Sequence, residues 1–128
     1  MTLRKRSLLN SRQVGSSGED RAAAYLVQQG FTILCRNWRT KRGEIDIIAT
    51  KNDILVFAEV KTLPSGSVQT LMQELGRKKQ KRITETAKWF LLNNRQYSNS
   101  IIRFDVLIVD MPGLEPVYHV ENAFSESV

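Results

Sequence analysis

Several features that identify large classes of proteins are scarce or missing in this chain. It contains one cysteine, Cys35, and one histidine, His119, among 128 residues. A single cysteine excludes an internal disulfide framework and a cysteine-based zinc site, and no Ser-His-Asp arrangement surrounds the single histidine. No apolar run approaches the ~18 residues that a membrane span needs, so we expect no membrane partner.

Glycine and proline are also few, with 7 and 3 residues respectively. No glycine-rich phosphate-binding loop is present, which argues against a nucleotide-hydrolysing motor. The N-terminal segment begins with basic residues, but its apolar run is only Leu8-Leu9, so it does not fit a secretory signal. We expect a cytoplasmic protein with a flexible basic tail over residues 1–14 and a single domain over residues 15–128.

Positive charge is in excess, with 19 Lys and Arg against 13 Asp and Glu and a net charge of +6. The densest basic cluster opens a predicted helix over residues 77–93, whose apolar stripe predicts Phe90 and Trp89 as core residues. The cluster suits backbone phosphate contacts, which give affinity without sequence readout, although a solvated helix face is the alternative. The expected nucleic-acid-binding residues are Arg77, Lys78, Lys79, Lys81 and Arg82.

Two acids are predicted to face each other across a β-hairpin. Segments 44–50 and 54–62 are rich in β-branched residues, and Asn52-Asp53 suits a two-residue loop between them. In that register Asp46 lies opposite Glu59, and Lys61 shares the face of Glu59. Like charges in opposed positions are destabilising, so a divalent metal between them is the economical explanation. A solvent-facing acid pair is the alternative, and a loop of odd length would separate the carboxylates onto different faces.

A third acid, Glu19, lies on a helix predicted over residues 17–29. It heads the apolar stripe of that helix, which runs through Ala22, Ala23 and Leu26. Such a position would direct Glu19 towards the sheet and the acid pair. The alternative is that Glu19 only complements the dipole at the start of the helix.

The order of the predicted elements indicates an α/β fold with a mixed β-sheet flanked by helices. The helix over 17–29 is followed by strands over 31–38, 44–50 and 54–62, the helix over 77–93, and strands over 101–109 and 117–121, which gives the order α-β-β-β-α-β-β. Arg103 and Asp105 share one face of a covered strand and are predicted to form a structural ion pair.

Several blocks of this sequence resemble the YraN-like bacterial proteins. The blocks are Gly18-Glu19, Gly43-Glu44-Ile45-Asp46, the segment 57–62, Arg103-Phe104-Asp105-Val106 and Glu121-Asn122-Ala123-Phe124. That family is assigned to the restriction-endonuclease-like superfamily, whose metal-dependent nucleases share the PD-(D/E)xK signature. The resemblance implies a restriction-endonuclease-like core, and it makes Glu19, Asp46, Glu59 and Lys61 the catalytic positions.

The chain departs from the pattern of its relatives at two positions. No proline precedes Asp46, which the superfamily often tolerates. Leu63 stands where relatives usually carry a basic residue, which removes one expected phosphate contact.

The residue types at these positions suit Mg²⁺ or Mn²⁺. Mg²⁺ prefers oxygen ligands and needs only one or two carboxylates beside water and substrate phosphate. Asp46 and Glu59 are the expected ligands, with the Val60 backbone carbonyl as a third. Because nearby acids favour the charged form of a lysine, we expect Lys61 to stabilise developing negative charge rather than act as a base.

The leading hypothesis is therefore a Mg²⁺-dependent endonuclease acting on DNA, including branched or single-stranded DNA. A non-catalytic nucleic-acid-binding module with the same fold is the first alternative. A scaffold whose acidic C-terminal segment binds a partner is the second. By analogy with related resolvases, cleavage of DNA junctions would call for a homodimer.

Overall fold

A computed structural model describes residues 11–62, 67–110 and 116–125. Residues 1–10 of the predicted tail and Leu63 lie outside the described residues. The described helices are α1 (Ser11–Gln28), α2 (Val68–Glu74) and α3 (Arg77–Asn93), with a 3₁₀ turn at Arg95–Tyr97. The described strands are β1 (Thr32–Arg39), β2 (Glu44–Lys51), β3 (Ile54–Thr62), β4 (Ile101–Val109) and β5 (Val117–Phe124).

The five strands form one mixed sheet in the order β1-β2-β3-β4-β5. Strands β1, β2 and β3 pair antiparallel, β3 and β4 pair parallel, and β4 and β5 pair antiparallel. A parallel pair needs a long crossover, and α2 and α3 lie in the chain between β3 and β4. The predicted α/β class with a mixed sheet is confirmed.

The β2–β3 hairpin has the predicted register. Its ladder runs from Lys51 paired with Ile54 to Ile47 paired with Ala58, so residues 52 and 53 are the two-residue loop. Asn52 adopts a positive φ of 55°, which asparagine tolerates better than most residues. The even-length loop keeps the next residues along each strand, Asp46 and Glu59, side by side.

Each face of the sheet packs on a separate apolar core. On one face, Ala22 and Leu26 of α1 pack with Ile47, Val56 and other residues of the central strands. On the other face the core contains Ile48, Phe57 and Phe104 of the sheet, Leu71 of α2, Leu75 at its C-terminal cap, and the buried residues of α3, which are Ile83, Ala87 and Phe90. The site described below lies at the edge of this second core.

Some element boundaries differ from the sequence prediction. Helix α1 begins at Ser11 rather than at residue 17, and β5 continues to Phe124 rather than to residue 121. Helix α2 was not predicted, although Ser67 caps it by accepting a hydrogen bond from the backbone N–H of Thr70. Helix α3 has the predicted bounds.

The prediction that Trp89 is a core residue is wrong. Its exposed fraction is 45%, whereas that of Phe90 is 5%. Helix α3 packs through Ile83, Ala87 and Phe90, which recur at helical spacing. Trp89 lies about 100° around the helix from Phe90 and therefore faces outward.

Within the described ranges, no helix combines the length and the apolar character needed to cross a lipid bilayer.

Candidate functional site

Asp46 on β2 and Glu59 on β3 lie together at the base of a pocket. Both are buried, with exposed fractions of 9% and 8%. The backbone N–H of Val60 donates to Asp46 Oδ2 at 2.8 Å, which fixes one carboxylate oxygen against the neighbouring strand. The pocket has a volume of about 280 Å³ and is lined by Gly43, Glu44, Asp46, Glu59, Lys79, Arg82 and Ile83.

The surroundings of Asp46 strongly disfavour its charged form. Burial first, and then the negative charge of Glu59, raise the pKa of Asp46 to about 7. The hydrogen bond from the Val60 backbone lowers the pKa of Asp46, whereas the negative charge of Glu19 raises it further. A buried carboxylate whose charged form is destabilised by its surroundings is typical of functional sites.

Two lysines supply positive charge to this acid pair. Lys79 Nζ, from the first turn of α3, lies 2.8 Å from Glu59 Oε2. Lys61 Nζ, from the end of β3, lies 3.7 Å from the same oxygen. The sequence assigned Lys79 to the nucleic-acid-binding cluster, but the structure makes it the closer ionic partner of Glu59.

The two lysines also affect each other. A hydrogen bond with Lys79, followed by burial, lowers the pKa of Lys61, although Glu59 and Asp46 act in the opposite direction. For Lys79, burial disfavours the charge, but the hydrogen bonds with Glu59 and Lys61 outweigh it and raise its pKa. The acids thus favour the Lys61 ammonium as predicted, but Lys79 and burial, which the sequence did not indicate, outweigh them and lower the pKa of Lys61.

Glu19 approaches the acid pair from α1. Its Oε1 accepts a hydrogen bond from Asn37 Nδ2 at 3.0 Å and one from Arg36 Nη2 at 3.4 Å. Its charge contributes to the raised pKa of Asp46, so Glu19 lies within electrostatic reach of that carboxylate. Because α1 begins at Ser11, Glu19 is not in the first turn, and the helix-dipole alternative no longer explains it.

Asn37 holds Glu19 from an unusual backbone conformation. Its φ is 54°, in the left-handed region, where asparagine is one of the more tolerant residues. Sequence reasoning missed Asn37, because a position within a predicted strand gives no sign of a positive φ.

The predicted nucleic-acid-binding cluster divides between two environments. Arg77, Lys78 and Lys81 are exposed on α3. Lys79 and Arg82, three residues apart on one side of the helix, line the pocket that contains Asp46 and Glu59. The cluster therefore forms a positively charged rim above the carboxylates of Asp46 and Glu59 at the bottom of the pocket.

A second basic hollow adjoins this pocket and shares Gly43 and Glu44 with it. It has a volume of about 270 Å³ and is formed by the β1–β2 connection, residues 39–44. The Thr40 hydroxyl accepts hydrogen bonds from the backbone N–H groups of Arg42 and Gly43, which orders the turn. Sequence reasoning missed this loop, although the dipeptide Lys41-Arg42 next to the acid motif was an available signal.

The acid pair fits a hard divalent cation. No group of three or more His, Cys, Asp or Glu side chains suited to a metal ion occurs within residues 11–62, 67–110 and 116–125. Two carboxylates are nevertheless enough for Mg²⁺, which retains several waters and takes further oxygens from a substrate phosphate. The buried and mutually repelling charges of Asp46 and Glu59 are an additional reason for a cation to bind there.

A separate polar network lies on β4 and β5. Asp105 is fully buried and accepts hydrogen bonds from Arg103 Nη2 at 2.7 Å and from the Asn122 backbone at 2.8 Å, while His119 Nε2 lies 2.6 Å away. Burial would raise the pKa of Asp105, but the hydrogen bonds from His119, Arg103 and Asn122 lower it. The predicted structural ion pair is confirmed, and none of these residues lines the pocket.

Comparison with known proteins finds similar bacterial sequences along most of the chain. The family model described as "Uncharacterised protein family UPF0102" matches residues 18–109. A UPF0102 protein of Treponema pallidum is 42% identical over 123 residues, which cover 93% of this chain and 98% of the relative. One from Treponema denticola is 44% identical over 124 residues, covering 88% and 95%. One from Rhodococcus opacus is 40% identical over 114 residues, covering 87% and 95%.

Proposed function

The chain belongs to the uncharacterised protein family UPF0102, and within that family we propose that it is a metal-dependent nuclease that hydrolyses phosphodiester bonds in DNA. The observation that carries this proposal is the buried pair Asp46 and Glu59 beneath the basic rim of Lys79 and Arg82. A polyanionic substrate would be attracted by the rim, and its phosphate would then meet the acids only if a cation lay between them.

The expected metal is Mg²⁺, or Mn²⁺ as a substitute. Asp46 and Glu59 would hold it, with the Val60 backbone carbonyl as a further oxygen donor. When bound, the metal would polarise the phosphate and lower the pKa of the attacking water. The restriction-endonuclease-like assignment implied by the sequence motif agrees with this chemistry.

The remaining residues would bind and orient the substrate. Lys61, beside Glu59, would stabilise the negative charge that develops on the phosphoryl oxygens. Arg82 would bind a phosphate at the mouth of the pocket. Three exposed residues would contact phosphates further along the DNA backbone, namely Arg77, Lys78 and Lys81. Glu19, oriented by Asn37, would accept a hydrogen bond from water near the acid pair.

The reaction would be hydrolysis. A water oxygen attacks phosphorus and gives up a proton to solvent, the bond to the leaving sugar oxygen breaks, and that oxygen takes up a proton from solvent. Branched, duplex and single-stranded DNA are all candidate substrates. A homodimer is part of the proposal only for DNA junctions, which present two strands for cleavage.

The test combines calorimetry with a cleavage assay. Mn²⁺ and Mg²⁺ are titrated into the wild-type protein and into Asp46→Asn and Glu59→Gln, and each protein is then incubated with branched, duplex and single-stranded DNA. We expect metal binding and cleavage by the wild type and the loss of both in each variant. Cleavage that persists in Asp46→Asn at the wild-type rate would contradict the proposal.

One observation favours a second candidate, a nucleic-acid-binding module without catalytic activity. The Glu59 carboxylate already has a cationic partner in Lys79, so it does not require a metal. In that case the wild type would bind DNA with a strong dependence on salt, while calorimetry would detect no metal binding.

A further inference from the structure

The ammonium group of Lys79 lies where a metal ion bound to Glu59 would be expected to lie. Its Nζ is 2.8 Å from Glu59 Oε2, a normal distance for a charge-assisted hydrogen bond. Both side chains line the pocket that contains Asp46. Lys61 is nearly 1 Å further from the same oxygen, so Lys79 is the nearer of the two ammonium groups.

An ammonium and a divalent cation compete for the same oxygen of this carboxylate, Glu59 Oε2. Both carry positive charge, and repulsion between like charges is strongest where the surroundings are poorly solvated, as they are around Glu59. Binding of a metal at Oε2 therefore requires Lys79 to leave that oxygen, and a metal on the other oxygen would still repel its ammonium.

The side chain of Lys79 can reach a second position after it leaves Glu59. Its side chain is 35% exposed and carries a flexible four-carbon stem, so the ammonium can swing towards the mouth of the pocket. Arg82 lies there, one helical turn further along the same side of α3. A substrate phosphate at this mouth would meet both cations.

We propose that Lys79 is an internal counter-ion that competes with the divalent metal for Glu59 and is transferred to a nucleic-acid phosphate when the metal binds. This inference rests on the proposed metal-dependent function. It assigns Lys79 two successive partners and makes metal binding and nucleic-acid binding cooperative.

The competition is tested by titrating Mn²⁺ into the wild type, Lys79→Met and Lys79→Arg at about pH 8.5, where protons compete little for the carboxylates. Methionine keeps much of the stem and removes the charge, so Lys79→Met should bind Mn²⁺ about three- to tenfold more tightly. Lys79→Arg keeps the charge and should stay within about twofold of the wild type. Lys79→Gln replaces Lys79→Met if circular dichroism shows that the methionine variant is unfolded.

The matched control is Lys88→Met. Lys88 is exposed on the same helix and does not line the pocket, so this variant makes the same change in net charge at a distance from Glu59. Its Mn²⁺ affinity should equal that of the wild type. Equal or weaker Mn²⁺ binding by Lys79→Met than by the wild type would overturn the competition while leaving the metal site standing. Absence of Mn²⁺ binding by every variant would instead overturn the proposed function, and the inference with it.

The transfer is tested by measuring the affinity for a short fluorescent duplex DNA in EDTA and in saturating Ca²⁺. In EDTA, Lys79 is held by Glu59, so Lys79→Met should bind DNA less than about twofold more weakly than the wild type. In Ca²⁺, the wild type should bind about three- to tenfold more tightly than Lys79→Met, because only the wild type has an ammonium to release. The same ratio of affinities in both buffers would overturn the transfer.

Discussion

Replacing Asp46 by asparagine should stabilise the protein at alkaline pH. The two side chains have nearly the same shape, and the asparagine Oδ1 can still accept the hydrogen bond from the Val60 N–H. The variant therefore keeps the geometry but removes a buried negative charge next to Glu59. Since that charge is costly in the folded state, removing it should increase the free energy of unfolding.

The size and pH dependence of the effect follow from the pKa of Asp46. The folded-state pKa of about 7 lies about 3 units above the ordinary value of 3.8, which corresponds to about 4 kcal/mol at about 1.36 kcal/mol per unit. Because the folded-state pKa is raised, the penalty is absent near pH 4, grows as the pH rises towards 7, and is complete above it. Water entering the pocket would reduce this penalty. We therefore expect the free energy of unfolding of Asp46→Asn to exceed that of the wild type by about 2 to 4 kcal/mol at pH 8.

The assay is urea-induced unfolding of both proteins in EDTA at several pH values between 4 and 9. The difference in unfolding free energy should be near zero at the acid end and largest above pH 7. Saturating Mg²⁺ at pH 8 should stabilise the wild type and leave Asp46→Asn unchanged. A difference that is independent of pH, or a variant that is less stable at pH 8, would refute the reasoning.

Three further predictions concern residues around the site and the β4–β5 network. Arg82→Ala should weaken DNA binding similarly for all sequences and reduce the slope of log affinity against log salt by about 1, measured by fluorescence anisotropy; an unchanged slope would exclude a phosphate contact. Asp105→Asn should cost about 3 to 5 kcal/mol in urea unfolding because it leaves Arg103 without its buried partner, and a loss below about 1 kcal/mol would contradict that role. Asn37→Ala and Asn37→Gly both lose the hydrogen bond to Glu19, but only alanine is strained by the positive φ, so Asn37→Ala should be about 1 kcal/mol less stable than Asn37→Gly in urea unfolding, and equal stabilities would show that the backbone conformation has no effect.

The acid pair could be predicted from sequence because it depends on local rules. The loop at Asn52-Asp53 sets the hairpin register, and the alternation along each strand then brings Asp46 beside Glu59. The bounds of α3 were equally accessible, since its apolar stripe has a clear helical period. Both inferences need only short stretches of chain.

The partner of Glu59 could not be predicted in this way. Which lysine of α3 reaches the pocket depends on how the helix is rotated and placed over the sheet, and that is decided by the packing of Ile83, Ala87 and Phe90. The same packing exposes Trp89. Helix α2 was missed because seven residues are too few to show a reliable period, and its cap at Ser67 was a weak signal by itself.

The parallel pairing of β3 with β4 has a consequence for how the chain folds. Strands β1, β2 and β3 are joined by short connections and can pair early, whereas β4 must wait for the crossover through α2 and α3. We therefore expect Asp46 and Glu59 to come together before Lys79 reaches them, and their combined field would attract the basic first turn of α3 during the slow, non-local step. The negative charges at the bottom of the pocket would thus help to dock the helix whose Lys79 pairs with Glu59 in the folded protein.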